Sequence, residues 1–311
     1  MKILMTGGAG YLGGCMVDYL LEDGHHDITV YDSLLYEETY RKDVKFVNGD
    51  VRDYAKIKPL VYESDVVISL AALVGDGACQ LNPEETMSIN RDAIQWLADN
   101  FDGKIFFISS CSVYGSQNNI LDESSPTNPL SLYASAKLEG EEILKDKNAI
   151  MFRLGTLFGI GDRFSRIRFD LVINTLTMKA LNGGKLTVFG GDQYRPVLHV
   201  KDVARTLVEN IENECTGIFN LHHENIKIID LAEQIKDSIP GCEIVTTATS
   251  FEDARNYMVN SSKAKRDLNF TTQWTPAAGI EEMKLLLTEG RIKNTFATRY
   301  SNIAFLKELG I

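Results

Sequence analysis

Short runs rich in β-branched and aromatic residues recur through the first half of the chain, at Lys2–Thr6, Asp27–Tyr31, Val44–Val47, Val66–Leu70, Lys104–Ile108 and Ile150–Leu154. Apolarity so nearly continuous over so few residues predicts strands buried on both faces, as in a parallel sheet. The intervening segments space their apolar residues three and four apart. That spacing predicts helices over Tyr11–Leu21, stopped by Gly24, and over Pro83–Ala98, Leu132–Leu144 and Arg168–Leu181, the last running into Asn182-Gly183-Gly184. Strand and helix in alternation predict an α/β fold with a doubly wound parallel sheet. Beyond about residue 155 the alternation gives way to a glycine-rich stretch (Gly155, Gly159, Gly161, Gly183, Gly184, Gly190, Gly191), where a smaller C-terminal lobe is expected. A helix at Val200–Asn213 and a strand at Ile218–Leu221 are expected to return to the sheet or its flank. Residues 291–311 are polar at first and then weakly amphipathic, and carry no functional signal.

Composition narrows the classes of partner. The 311 residues include 43 acidic and 32 basic side chains, a formal net charge of −11. A field of that sign repels phosphate backbones and anionic lipid, so neither nucleic acid nor membrane is expected as a partner. An anionic ligand needs a local basic pocket. Cys15, Cys79, Cys111, Cys215 and Cys242 show no C-x-x-C or Cys/His spacing; no metal site is expected, and they read as thiols of a reducing compartment. No charged leader precedes an apolar stretch, and no apolar run approaches membrane-spanning length, so a soluble cytoplasmic protein is expected.

The first strand runs into Thr6-Gly7-Gly8-Ala9-Gly10-Tyr11-Leu12-Gly13 and a helix follows at once. Gly7, Gly10 and Gly13 sit where backbone must approach a pyrophosphate, and the N–H groups that open the helix, at Tyr11 and Leu12, face it. This pattern makes the sheet Rossmann-type. Strand two ends in Val30-Tyr31-Asp32, and an acidic side chain about 20 residues past the last glycine accepts hydrogen bonds from the adenosine ribose diol. Asp32 also repels a 2′-phosphate, so NAD is expected rather than NADP. Arg41 and Lys42 lie too far downstream to serve as phosphate ligands. The expected division is an NAD-binding Rossmann domain over residues 1–155, with returning segments near 197–222, and a mainly substrate-binding lobe and tail over 156–311.

At Tyr133-Ala134-Ser135-Ala136-Lys137 the sequence resembles the extended short-chain dehydrogenase/reductase family, the NAD-dependent nucleotide-sugar epimerases and dehydratases that include UDP-glucose/galactose 4-epimerase-like enzymes. The resemblance covers nearly the whole chain. Besides the glycine loop it rests on Asp50-Val51, Leu70-Ala71-Ala72, Ser109-Ser110-Cys111-Ser112-Val113-Tyr114-Gly115, Arg153 with Gly159, and Arg195-Pro196-Val197-Leu198-His199-Val200-Lys201-Asp202. It implies that Asp50 and Val51 contact the adenine, that Leu70, Ala71 and Ala72 line the dinucleotide path, and that Ser110 takes the catalytic Ser/Thr position. It further implies that Arg195 and Arg255 grip a nucleotide diphosphate, and that the helices at Pro83–Ala98 and Leu132–Leu144 pair with those of a second copy in a homodimer. Thr156 stands where many relatives place an asparagine against the sugar phosphate, and Val74 where bacterial galactose epimerases have a lysine. The stretches Arg153–Gly159 and Asp170–Asn174 look closer to a less characterised branch acting on NDP-hexoses or NDP-heptoses.

The side chains agree with that chemistry. Tyr133 and Lys137 are one helical turn apart, so their heads share one site. A tyrosine working as a base near pH 7 needs its pKa lowered by roughly 3 units, on the order of 4 kcal/mol; the Lys137 ammonium and the positive nicotinamide ring are expected to supply that field. Ser110 is placed to share the same substrate oxygen. Dehydratases of the family use an Asp-Glu pair immediately after the catalytic Ser/Thr, and here those positions are Cys111 and Ser112, which disfavours 4,6-dehydration. The expected activity is 4-epimerisation of an NDP-hexose or NDP-heptose through transient oxidation at C4. A C4 ketoreductase or C4 oxidase is the alternative, and the presence of Tyr133 and Lys137 argues against a silent NAD(H) sensor. Of Arg163, Arg166 and Arg168 at least two are expected at the surface; His199 is expected to be structural and Cys111 a buried filler.

Overall fold

The computed structural model describes residues 1–247 and 256–311. Its first half runs β1 (Lys2–Thr6), α1 (Tyr11–Asp23), β2 (Asp27–Asp32), β3 (Lys45–Asn48), α2 (Tyr54–Tyr62) and β4 (Val66–Ser69). Then come α3 (Asp76–Leu81), α4 (Pro83–Met87), α5 (Ala93–Asn100), β5 (Lys104–Ser110), β6 (Ile120–Leu121), α6 (Leu132–Leu144) and β7 (Ala149–Leu154). The second half contributes β8 (Thr156–Phe158), α7 (Val172–Gly183), β9 (Lys185–Phe189), β10 (Tyr194–His199), α8 (Val200–Glu209), β11 (Gly217–Leu221) and β12 (Glu224–Lys227). It closes with α9 (Ile228–Ser238), β13 (Glu243–Thr247), β14 (Met258–Val259), α10 (Ser262–Asp267), α11 (Pro276–Thr288) and α12 (Asn302–Leu309).

Seven parallel strands form the main sheet in the order β11-β7-β5-β4-β1-β2-β3. Alternate side chains of one strand feed opposite cores: Ile3 and Met5 of β1 pack with Val30, Ile68 and Phe152, while Leu4 packs with Tyr31, Val67 and Phe107. That two-faced burial is why the strands read as unbroken apolar runs. The order reverses between β1 and β4, which opens a crevice at their carboxyl ends, the place where ligands of open α/β sheets bind. The return of 217–221 as the outermost parallel strand, and the packing of α8 on α1, agree with the sequence expectation.

β7 hands the chain to β8 through Gly155 alone. Its N–H bonds Leu221 O at 2.8 Å, and a Cβ there would lie 2.9 Å from Pro196 O. β8 thus leaves the main sheet at once and pairs with β10 in a second, three-stranded sheet completed by β12.

Local boundaries differ from expectation in two instructive places. The helix expected from Arg168 starts only at Val172, because Arg168 and Asp170 pair with each other, Phe169 N–H bonds Tyr300 O, and Leu171 is extended. The helix expected to run unbroken over Pro83–Ala98 contains a π-helical turn at Ser88–Asp92 that drives Asn90 into the interior. Among the described residues no helix is long and apolar enough to cross a membrane.

Candidate active site

Gly7 follows β1 with φ of +74°, and a Cβ on it would stand 2.5 Å from the backbone nitrogen of Ala71. The loops after β1 and β4 therefore touch backbone to backbone at the reversal of strand order. Gly7, Gly10, Asp32, Asp50, Val51, Leu70, Ala71 and Ala72 all line the resulting cleft. Tyr11 and Leu12 lie in the open first turn of α1, whose N–H groups have no acceptor within the helix. The Tyr11 side chain is spent elsewhere, donating to Gly159 O at 2.7 Å. Asp32 takes the Ala9 N–H at 3.0 Å on one oxygen and the Leu34 N–H at 2.8 Å on the other; burial raises its pKa, and these two bonds oppose the rise. The Asp50 carboxylate is held by Arg52, with Nε 2.9 Å away. Lys42 is buried against Gly14 O and Asp162, away from the cleft. A backbone cradle beside an acidic cleft wall fits NAD, whose ribose diol Asp32 would hold. Asp32→Ala is expected to weaken NAD binding roughly 10- to 100-fold and to narrow its preference over NADP, measured by nucleotide titration. An affinity within twofold of the parent would remove Asp32 from the ribose site.

Asn90, 1% exposed, clamps the loop after β4: its Oδ1 accepts from Leu73 N at 2.9 Å and its Nδ2 donates to Leu73 O at 2.8 Å. Sequence reading missed it because the π turn that aims it inward leaves no mark in the apolar spacing.

The three candidate catalytic side chains come from two elements that pack on each other, β5 and α6. Ser110 ends β5, and its Oγ accepts from Ser112 N–H at 3.1 Å and from Ser112 Oγ at 2.9 Å. Tyr133 and Lys137 lie on α6, whose N-cap Ser131 accepts from Ala134 N–H and donates to Asp76 at 2.6 Å. The Lys137 ammonium, 4% exposed, stands 5.0 Å over the Phe107 ring and 5.9 Å over the Tyr133 ring. Burial pushes it down to about 8. The Tyr133 phenol moves the other way: burial carries it well above its ordinary value, Cys79 and Asp76 add to the rise, and the Ser110 hydroxyl and Arg168 guanidinium pull against it. The expected lowering joins the Lys137 field to that of a bound nicotinamide ring; the protein by itself sets the opposite direction. In the protein alone desolvation wins, and Tyr133 stays protonated near pH 7.

Of the residues expected to face the substrate, Thr156 opens β8 opposite Val197 of β10, two residues past Leu154, the register partner of Ser110. Arg195, on β10, donates to Tyr194 O at 2.9 Å and lies 5.8 Å over the Tyr257 ring. Arg255 lies outside the described residues. Cys111 is fully buried with its thiol 3.2 Å from Arg153 O, and burial pushes its pKa up, so it holds no mobile proton at neutral pH. His199 is structural: fully buried, it caps α8 through Lys201 N–H and stacks on Trp274. Of the three arginines expected mostly at the surface, only Arg163 is there. Arg166 and Arg168 are buried, the latter paired with Asp170 at 2.6 Å and 6.0 Å from the Tyr11 ring. Their partners come from residues 299–302 and from Asp170, which no local pattern announces. Among the described residues no group of three or more His, Cys, Asp or Glu side chains is placed to hold a metal ion.

Known proteins resemble the chain in sequence and in fold. The chain is 26% identical over 306 residues to UDP-glucuronic acid decarboxylase 3 of Arabidopsis thaliana, covering 93% of this chain and 88% of the relative. It is 31% identical over 234 residues to a putative UDP-glucose 4-epimerase of Methanocaldococcus jannaschii, covering 70% and 76%. The structure of UDP-glucuronic acid 4-epimerase from Bacillus cereus, in complex with UDP-glucuronic acid and NAD, superposes with a TM-score of 0.79 at 24% identity, over 92% of this chain and all of that one. Residues 3–221, which carry the glycine cradle, Asp32, Ser110 and the Tyr133/Lys137 pair, match the NAD dependent epimerase/dehydratase family, and the chain belongs to that family of NAD-dependent enzymes.

Proposed function

We propose that the protein is a nucleotide-sugar 4-epimerase, acting on an NDP-hexose or NDP-heptose by transient oxidation at C4. The carrying observation is that Ser110, Tyr133 and Lys137 adjoin one another, the Tyr133 and Ser110 hydroxyls in hydrogen-bond contact and the Lys137 ammonium 5.9 Å over the Tyr133 ring, while the two positions after Ser110 hold a buried thiol and a buried hydroxyl. When bound, NAD supplies a two-electron acceptor for C4 and a positive charge beside the phenol. Tyr133 takes the C4 hydroxyl proton and later returns it. Ser110 holds the same oxygen, and Lys137 stabilises the phenolate while it lasts. Re-reduction on the opposite face needs no carboxyl acid or base, whereas elimination across C5 and C6 does. Residues 1–155 with 197–222 serve the cofactor in this reading, and 156–311, with Thr156, Arg195 and Arg255, serve the sugar nucleotide. A homodimer paired through α4, α5 and α6 is part of the proposal.

Similarity to UDP-glucuronic acid decarboxylases favours one second reading. A ketone at C4 of a hexuronate lies β to the carboxylate and labilises it, so the same first step leads to loss of carbon dioxide. The test is incubation of the purified enzyme with a panel of NDP-hexoses, NDP-heptoses and UDP-glucuronic acid, with products read by NMR and NADH by absorbance. A C4 epimer without net NADH is the expected result. A pentose nucleotide with carbon dioxide would establish the decarboxylase, and stoichiometric change in NADH a one-way C4 oxidase or ketoreductase.

A further inference from the structure

Residues 298–311 pack behind the cofactor cleft, on the loops after β2 and β4 that supply lining residues Leu35, Tyr36 and Leu73. Leu306 is fully buried with Leu73, Ala78 and Cys79, and Ile303 packs so closely on Gly77 that a Cβ there would stand 2.7 Å from its Cδ1. Asn302, 3% exposed, spends its polar groups on two loops. Its N–H donates to Asp170 at 2.8 Å, its Nδ2 donates to Val74 O at 2.8 Å, and its Oδ1 accepts from Arg166. Arg166 also donates to Arg299 O at 2.8 Å and lays its guanidinium 4.2 Å over the Tyr36 ring, which the Phe305 ring approaches at 5.7 Å. One asparagine thereby joins the loop after β4, the loop before α7 and, through Arg166, the loop after β2. Two of these three, after β2 and β4, supply walls of the cleft. Tyr36 is one of the lining residues, and its buried hydroxyl has no hydrogen-bond partner among the described residues. Of the buried side-chain polar atoms without a partner among the described residues, the Tyr36 hydroxyl alone belongs to a residue of the cleft wall, where a ligand group would satisfy it.

We infer that residues 298–311 belong to the dinucleotide site: a strap pinned by Asn302 that retains NAD(H) between turnovers, with the Tyr36 hydroxyl as a contact to the bound nucleotide. The inference deepens the epimerase reading, since an epimerase must keep its reduced cofactor while the sugar turns, and a one-way oxidoreductase must exchange it every cycle. Asn302 is a positioning residue; it acts through Arg166, Asp170 and the loop at Val74.

The experiment needs no sugar, so its failure is separable from failure of the epimerase reading. Protein loaded with NADH is mixed with a large excess of NAD and the loss of bound-NADH fluorescence is timed. Asn302→Ala, and a chain ending at Ala297, are expected to release NADH at least about tenfold faster than the parent, with association little changed. Tyr36→Phe is expected to release it several-fold faster. A purely structural strap would lower the melting temperature and leave release within twofold of the parent, which would overturn the inference. Should the shortened chain fail to fold, amide exchange on the unaltered protein decides: slower exchange across 298–311 when NAD is added supports the strap, and equal exchange with and without NAD overturns it.

Discussion

Lys137→Met is expected to give a protein that has lost turnover and gained stability. Burial holds the Lys137 ammonium at about 8 against an ordinary value near 10.5. The folded state therefore binds fewer protons than the unfolded state between those values. The sign follows from linkage: the cost of the buried charge is fully present below about pH 8 and is relieved as pH rises towards 10.5. That difference in affinity corresponds to roughly 3 kcal/mol as an upper bound. Methionine fills a similar volume without the charge, so urea denaturation at pH 7 should show the variant more stable by up to about 3 kcal/mol, with the gap closing by about pH 10. Turnover should fall on the order of 10²- to 10⁴-fold. Tyr133→Phe serves as the control: its phenol is protonated in both states at pH 7, so it should lose turnover while keeping nucleotide binding, with no stability gain of this kind. A Lys137→Met protein less stable than its parent, or a gap that does not change with pH, would refute the account.

Glu141→Ala is expected to cost about 3 to 5 kcal/mol of folding stability, since it strands a buried guanidinium. Glu141 and Arg153 are each 3% exposed and meet edge to edge, with Nε to Oε1 at 2.9 Å and Nη2 to Oε2 at 2.6 Å. Arg153 also reaches the Tyr114 hydroxyl at 2.9 Å, which in turn donates to Asn220 at 2.9 Å, and Ser109 donates to Glu141. The network backs the end of β5 that presents Ser110 and sits one turn beyond Lys137 on α6. Replacing both partners with methionine should recover much of the loss, because the penalty lies in the unpaired charge more than in the missing attraction. A cost for Glu141→Ala under about 1 kcal/mol in the same urea experiment would show that water reaches the pair.

Much of this site is legible in the sequence because its parts are local. The glycine loop, Asp32 at the end of β2 and the Tyr133/Lys137 pair each depend on spacing within one element or one turn, and the expected span of α6 matches the observed Leu132–Leu144. What was not legible depends on distance. Arg166 and Arg168 read as surface residues since nothing near them in sequence can pair them except Asp170; Arg166 is completed by residues more than 130 positions away. Asp170 falls inside the helix expected from Arg168, yet its carboxylate is taken by Arg168 and Asn302, and α7 begins only at Val172. Asn90 is concealed by a single wide turn. The burial of the Tyr133 phenol was not legible for another reason: residue types indicate which charges are nearby, while the cost of desolvation depends on how completely the fold excludes water.

The one-residue junction at Gly155 has a consequence for how such a protein diversifies. Pinned by Leu221 O on one side and crowded by Pro196 O on the other, it leaves no pliant seam about which the sugar-facing sheet could swing. Strands β7 and β8 behave as one stiff beam that carries Arg153 and Thr156 on either side of the junction. A new sugar cannot be accommodated by re-angling one half of the molecule. Its fit has to be found in the side chains themselves, so that on the proposed function changes of substrate range would come as exchanges at single positions such as 156 and 195, set on a frame that stays still.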